Sequence, residues 1–118
     1  MESARELNLV GAVALVSNRI FKVAMKAWQL LSSKKKWTKG VMAAGPRGGK
    51  REIKDPEAIC WCAAGAIFKC YEHPDINRVL IKLERELKIY GHLSITIWND
   101  APSRKFSEVR ALLKKLDI

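Results

Sequence analysis

Apolar side chains recur every three or four residues in three stretches of this chain, which is the spacing of one helix face. The stretches are residues 20–33, 75–90 and 106–116. Gly91 follows the second stretch in the position of a C-terminal glycine cap, and either Pro74 or Asp75 would begin it. We therefore predict three amphipathic helices over these residues.

Two further helices are predicted from their start signals. Ser3 and Glu6 have the spacing of a capping box, which predicts a helix over residues 4–16. Residues 9–13 are also compatible with a buried strand, and this alternative stays open. Asp55-Pro56-Glu57 combines a capping residue, a first-turn proline and a favourable charge, so a helix is predicted over residues 55–71. This helix is apolar on all sides, which places it centrally, and its small residues leave room for a neighbouring helix.

Helical spacing disappears between residues 34 and 54. The glycine-rich residues 45–49 predict a turn between residues 41–44 and 50–53, as in a short β-hairpin. Residues 92–98 alternate apolar and polar side chains and predict one short strand, with a helical turn capped by Ser94 as the alternative. The fold class is therefore α+β, mostly α: one compact domain over residues 1–118, with four to five helices and a small β-hairpin.

Length and composition exclude several classes of protein. The longest apolar run, residues 9–16, is far shorter than the roughly 20 residues of a membrane span. No basic segment precedes that run and no clear cleavage site follows it, so a signal peptide is not expected. Three cysteines within eleven residues, Cys60, Cys62 and Cys70, indicate reduced thiols and a cytoplasmic protein.

Positive charge is concentrated in the middle of the chain. The formal net charge is +10, and residues 34–54, the basic segment, hold eight basic side chains against one acidic side chain, a net +7. Such a field attracts nucleic acid or the acidic surface of a protein or nucleoprotein. With Trp37, the predicted binding residues are Lys34, Lys35, Lys36, Lys39, Arg47, Lys50, Arg51 and Lys54.

Three motifs carry a resemblance to a known family. They are Trp37-Thr38-Lys39-Gly40-Val41, Asp55-Pro56-Glu57-Ala58 leading into Trp61-Cys62-Ala63-Ala64-Gly65-Ala66, and Trp98-Asn99-Asp100-Ala101-Pro102-Ser103-Arg104. Over residues 19–117 the chain resembles a small family of bacterial and phage proteins known only as a domain of unknown function. Residues 1–18 then form an N-terminal extension. Members usually have Gly at the place of Ser103 and Thr at the place of Lys105.

The resemblance implies a setting, a bacterial cytoplasm or that of a phage-infected host, but no reaction. A cysteine nucleophile is the main catalytic hypothesis: Cys60 or Cys62, with His92 as base and Asn99 or Asp100 orienting it. Against it, Cys62 lies on the predicted core face, where free cysteines are common. The ligand types of a zinc site are present in Cys60, Cys62, Cys70 and His73, but their spacing is wrong, and neither metal nor cofactor is expected.

A structural role is the preferred interpretation of the family motifs. Asn and Asp commonly bond nearby backbone amides, and Trp buries a large area. We assign this role to Asp55, Trp61, Cys62, Gly65, Trp98, Asn99 and Asp100. A small-ligand pocket beside Trp61 and Trp98 is the alternative.

These observations together predict a small, non-enzymatic binding protein of bacteria or phage. Its basic segment would contact nucleic acid or a nucleoprotein partner. A cysteine-dependent hydrolase or transferase and a protein inhibitor, such as a phage counter-defence protein, stay open as alternatives.

Overall fold

The computed structural model describes residues 25–89, 91 and 94–118. The predicted helix over residues 4–16, residues 20–24 of the next predicted helix, and His92 lie outside these residues. The prediction of a helix over residues 20–33 is wrong for its described part, because Lys26 is extended and only Ala27–Leu30 are helical. In chain order the described elements are α1 (Ala27–Leu30), a 3-10 turn (Lys34–Lys36), β1 (Ala43–Ala44), β2 (Cys60–Trp61), α2 (Ala63–Cys70), α3 (Asp75–Ile89), α4 (Ile95–Asp100) and α5 (Phe106–Lys115). The predicted fold class, α+β and mostly α, is confirmed.

Helix α2 lies at the centre of the described core. It contacts α1, α3 and α4, and every residue from 63 to 67 is buried. Around it pack fully buried side chains of the neighbouring elements, among them Leu31, Leu83, Leu87 and Leu113. Burying one such leucine contributes about 1.5–3 kcal/mol, so the apolar stripes of α3 and α5 hold these helices in the core, where α3 contacts α2 and α5 contacts α1.

The two long amphipathic helices agree with the predictions. Helix α3 begins at Asp75, and Gly91 beyond it has a φ of 80°, which a glycine adopts without strain. Helix α5 spans Phe106–Lys115 and buries Val109, Leu112 and Leu113. Among the described helices none is long and apolar enough to cross a membrane.

The predicted helix start at Asp55 is wrong. Asp55 closes a turn instead: its Oδ1 accepts a hydrogen bond from the Glu57 N–H at 2.7 Å, and its carbonyl accepts one from the Ala58 N–H at 2.9 Å. Residues 59–62 then run extended beside β1, and the helix begins only at Ala63. Asp-Pro-Glu suits a turn as well as a helix start, and pairing with β1 decides between the two.

The β-hairpin has a different second strand from the one predicted. The turn over residues 45–49 forms, and the Arg51 N–H donates to the Ala43 carbonyl at 3.0 Å. However, β1 forms its antiparallel ladder with β2, with Ala43 opposite Trp61 and Ala44 opposite Cys60. Strand β1 thus bonds residues 50–51 along one edge and residues 59–61 along the other. Residues 50–53 contribute only an isolated bridge from Lys50.

The predicted strand over residues 92–98 is also wrong, and its alternative is confirmed. Ser94 is the N-cap of α4 and accepts a hydrogen bond from the Ile97 N–H at 3.4 Å. Helix α4 buries Trp98 and Asn99 and leaves Ile97 66% exposed. Six residues are too few for periodicity to distinguish a helix from a strand, so the cap decides here.

Candidate functional site

The three family motifs meet at the side chain of Asn99, which is fully buried. Its Oδ1 accepts hydrogen bonds from the indole Nε1 of Trp37 at 2.8 Å and from the Ala63 N–H at 3.0 Å. Its Nδ2 donates to the Thr38 carbonyl at 3.2 Å and to Asp100 Oδ1 at 2.8 Å. We call this cluster the Asn99 junction. Each polar atom of the amide already has two partners, so the side chain is occupied by the fold.

Asp100 and Lys39 add a second link between the same segments. Asp100 Oδ1 also accepts the Gly40 N–H at 3.1 Å, and Gly40 has a φ of 83°. The Lys39 ammonium donates to the Ala101 carbonyl at 2.7 Å, beyond the end of α4. Lys39 is therefore committed to closing this loop, where a cation also suits the negative end of a helix.

Gly65 permits a close approach of backbone at the junction. A Cβ at this position would lie 1.9 Å from the Met42 carbonyl oxygen, a distance that no side chain tolerates. The close neighbour at Gly65 is thus the chain before β1, and helix α1 also packs against α2. The Cys62 N–H reaches the same carbonyl at 3.3 Å.

Cys62 serves as the N-cap of α2. Its Sγ accepts a hydrogen bond from the Gly65 N–H at 3.3 Å, and the residue is only 2% exposed. Burial raises the pKa of this thiol, and the nearby Asp100 carboxylate raises it further, against a smaller opposite effect of the backbone N–H groups. Such a thiol stays protonated near neutral pH, whereas nucleophilic cysteines need the thiolate.

The other described residues of the catalytic hypothesis are held by separate contacts within the fold. Asp100 bonds Gly40 and Asn99, and Cys60 is half-buried with its Sγ 3.8 Å from the Ala44 carbonyl. Within the described ranges, no three His, Cys, Asp or Glu side chains converge as a metal site would require.

Both tryptophans of the predicted ligand pocket have partners inside the protein. The Trp61 indole donates to the Ile53 carbonyl at 3.0 Å. The Arg104 guanidinium lies 4.0 Å above the Trp98 ring, and its Nε donates to the Trp98 carbonyl at 2.8 Å. Lys105 stands where the resembling family usually has Thr. Its backbone N–H donates to Glu108 Oε1 at 2.9 Å, which is one half of a capping box.

The structure divides the predicted binding residues into two groups. Besides Lys39, Arg51 pairs with Glu57 at 2.9 Å, and Lys54 lies 3.8 Å from Glu72. The second group is exposed and forms no ion pair with another described residue. It consists of Lys34, Lys35, Lys36, Arg47 and Lys50, which we call the unpaired cations.

Trp37, one of the predicted binding residues, has its partners inside the fold. Its indole nitrogen is bonded to Asn99, its ring packs on Phe106 at 6.2 Å between centroids, and Lys39 lies over it at 5.5 Å. Trp37 therefore anchors the chain after the 3-10 turn to α4 and α5.

One face of α5 was not recognised from the sequence. Arg110 and Lys114 both lie over the Trp28 ring, at 5.4 and 5.3 Å from its centroid. Beside them is an open groove of about 310 Å³, which we call the α5 groove; its lining is Phe106, Ser107, Arg110, Ala111 and Lys114. In the sequence, only the spacing of Arg110 and Lys114 pointed to this face, because two like charges four residues apart slightly disfavour a helix.

Comparison with known proteins places the chain in a family. The model of a family of unknown function, DUF6197, matches residues 21–116. The chain matches no curated protein and no solved structure. The resemblance to a domain of unknown function is thereby confirmed, and the chain belongs to the family of unknown function DUF6197.

Proposed function

We propose that this protein is a non-enzymatic binding protein whose basic surface contacts nucleic acid, free or within a nucleoprotein. The unpaired cations carry the proposal. They are exposed side chains that form no ion pair with another described residue, in a chain whose formal net charge is +10. A cytoplasm that holds nucleic acid and reduced thiols, in a bacterium or an infected host, suits such a protein.

The cations of the basic segment differ in whether the fold offsets their charge. Arg51 and Lys54 have carboxylate partners, and Lys39 has a carbonyl partner, so their charges are partly offset within the fold. Lys34–Lys36 stand together on one 3-10 turn with no such offset. Neighbouring free cations repel one another, and a polyanion removes that repulsion while it releases its own counterions.

The mode of contact follows from the residues present. Four of the five unpaired cations are lysines, whose ammonium groups contact phosphates mainly as point charges. Trp37 is held by Asn99 and Phe106, so it does not serve as a free stacking surface. Binding through the unpaired cations is therefore dominated by phosphate contacts and has little sequence preference.

The test is fluorescence anisotropy with labelled single-stranded DNA, duplex DNA and RNA at 50 and 200 mM salt. The variant K34Q/K35Q/K36Q removes three unpaired cations from the 3-10 turn. Its matched control, K69Q/R85Q/K88Q, removes three exposed cations outside the basic segment and leaves the same net charge. Because all three side chains are exposed, the control should fold normally.

The natural protein should bind nucleic acid with an affinity that falls as the salt concentration rises. Each phosphate contact contributes about 0.7–0.9 to the slope of log K against log salt, so the 3-10 variant should lower the slope by about 2. The control triple should change it far less. No binding at 50 mM salt, or equal losses in both triples, would overturn the proposal and redirect the search to a protein partner.

A further inference from the structure

The α5 groove has the composition of a site for a flat ring next to phosphates. Its lining contains one aromatic residue, Phe106, and two small residues, Ser107 and Ala111. Arg110 and Lys114 add two cations. Its volume of about 310 Å³ is at the small end of the range for small-ligand sites, about 300–1,000 Å³. It is therefore large enough for one ring system.

A tryptophan before the 3-10 turn and another after it contact α5. Before the turn, Trp28 lies under Arg110 and Lys114; after it, Trp37 packs on Phe106. Both aromatic residues contact the helix that carries the groove. The lysines of the turn, Lys34–Lys36, lie between these two contacts in the sequence, and Lys36 directly precedes Trp37.

Acidic side chains are not part of the groove lining. The acidic residue of α5, Glu108, accepts the Lys105 N–H at 2.9 Å and lies 3.4 Å from the Arg104 guanidinium. Arg110 and Lys114 form no ion pair with another residue in the described part of the chain; both lie on Trp28. The groove thus presents two cations, Arg110 and Lys114, beside an apolar, partly aromatic cleft that has no acidic residue in its lining.

We propose that the α5 groove receives an unpaired base of single-stranded nucleic acid, while Lys34–Lys36, Arg110 and Lys114 hold the flanking phosphates. This inference rests on the proposed function and adds a preference for single strands. A duplex keeps its bases stacked on one another and offers only phosphates to this surface. A single strand can turn one base outward against Phe106, and such a contact adds affinity whatever the base.

The experiment compares three labelled probes at equal salt: a twelve-residue oligothymidine, an abasic deoxyribose-phosphate strand with the same number of phosphates, and a twelve-base-pair duplex. The first two differ only in their bases. The natural protein should bind oligothymidine about tenfold more tightly than the abasic strand, the scale of one base stacked on an aromatic side chain.

The variant Ala111→Trp fills the groove without changing the charge. Ala111 is exposed, so a larger side chain meets solvent and not the core. This variant should lose the tenfold preference and keep its affinity for the abasic strand. Asn77→Trp, at an exposed position of α3 outside the groove, is the matched control and should keep the preference. Ser107→Trp, also exposed, repeats the test should Ala111→Trp fail to fold.

The outcomes separate this inference from the proposed function. Salt-dependent binding with equal affinity for oligothymidine and the abasic strand would overturn the groove as a base site and leave phosphate binding standing. An unchanged preference in both filled variants would do the same. Absence of binding to every probe at low salt would overturn both proposals.

Discussion

Replacing Asn99 by alanine tests whether the Asn99 junction holds the three motifs together. The substitution removes the partners of the Trp37 indole, the Ala63 N–H and the Thr38 carbonyl. Ala63 is fully buried, so water does not replace its lost acceptor, whereas Trp37 and Thr38 are half-buried. We count one full desolvation penalty of about 1–3 kcal/mol and two smaller losses of about 1 kcal/mol each.

The expected loss in the free energy of unfolding is therefore about 3–5 kcal/mol, a large part of the 5–15 kcal/mol typical of a domain. Urea unfolding followed by tryptophan fluorescence measures it. Thr96→Ala, an exposed site on the same helix, is the control and should change the stability by less than about 0.5 kcal/mol. A loss below about 1 kcal/mol for Asn99→Ala would refute the reasoning.

Asn99→Asp sharpens the test because it keeps Oδ1 and removes the donor. The new carboxyl group is buried and faces the Asp100 carboxylate, so its pKa in the folded protein rises above that in the unfolded chain. Stability is then retained at low pH and lost as the pH rises through the folded pKa. The gap in urea midpoint between this variant and the natural protein should be larger at pH 7.5 than at pH 4.5. An equal gap at both would contradict the assignment.

Two further predictions concern the packing and the thiols around α2. Gly65→Ala should cost at least about 2 kcal/mol, because the new Cβ meets the Met42 carbonyl, while Gly49→Ala, with open space around it, should cost less than about 1 kcal/mol in the same urea titration. Burial raises the pKa of the Cys62 thiol, and raises that of Cys70 to about 11, against 9.0 as the ordinary value. The unfolded chain therefore loses these protons first, and stability should fall from pH 8 to pH 10.5; Cys70→Ala should make the fall shallower, and an identical pH profile would contradict this.

Several elements were predictable because their determinants lie close together in the chain. The stripes of α3 and α5 place one apolar face against the core whatever that core contains, and their predicted ranges agree with the structure. The same holds for the turn over residues 45–49, where glycine permits the conformation. Asp55, in contrast, suits both a turn and a helix start. The turn forms instead of the helix because residues 59–61 pair with β1, which lies eleven residues or more before Asp55.

The sequence also indicated that Trp61, Cys62, Gly65, Trp98, Asn99 and Asp100 serve the structure, but not how. Asn99 bonds partners 36 and 62 residues away, and hydrogen bonds of such separation leave no periodic trace in a sequence. The separation of paired from unpaired cations within residues 34–54 likewise depends on Glu57, Glu72 and Ala101, which only the fold brings near.

What the sequence by itself determined is the fold class, the two long helices and the excess of positive charge, because propensity, periodicity and composition act over short distances. Only the tertiary structure decided that Trp37 is an anchor, that the Cys62 thiol is a helix cap, and that Arg110 and Lys114 share one tryptophan. These depend on which backbone atoms and rings meet after collapse, where a buried donor must find whichever acceptor the packing supplies.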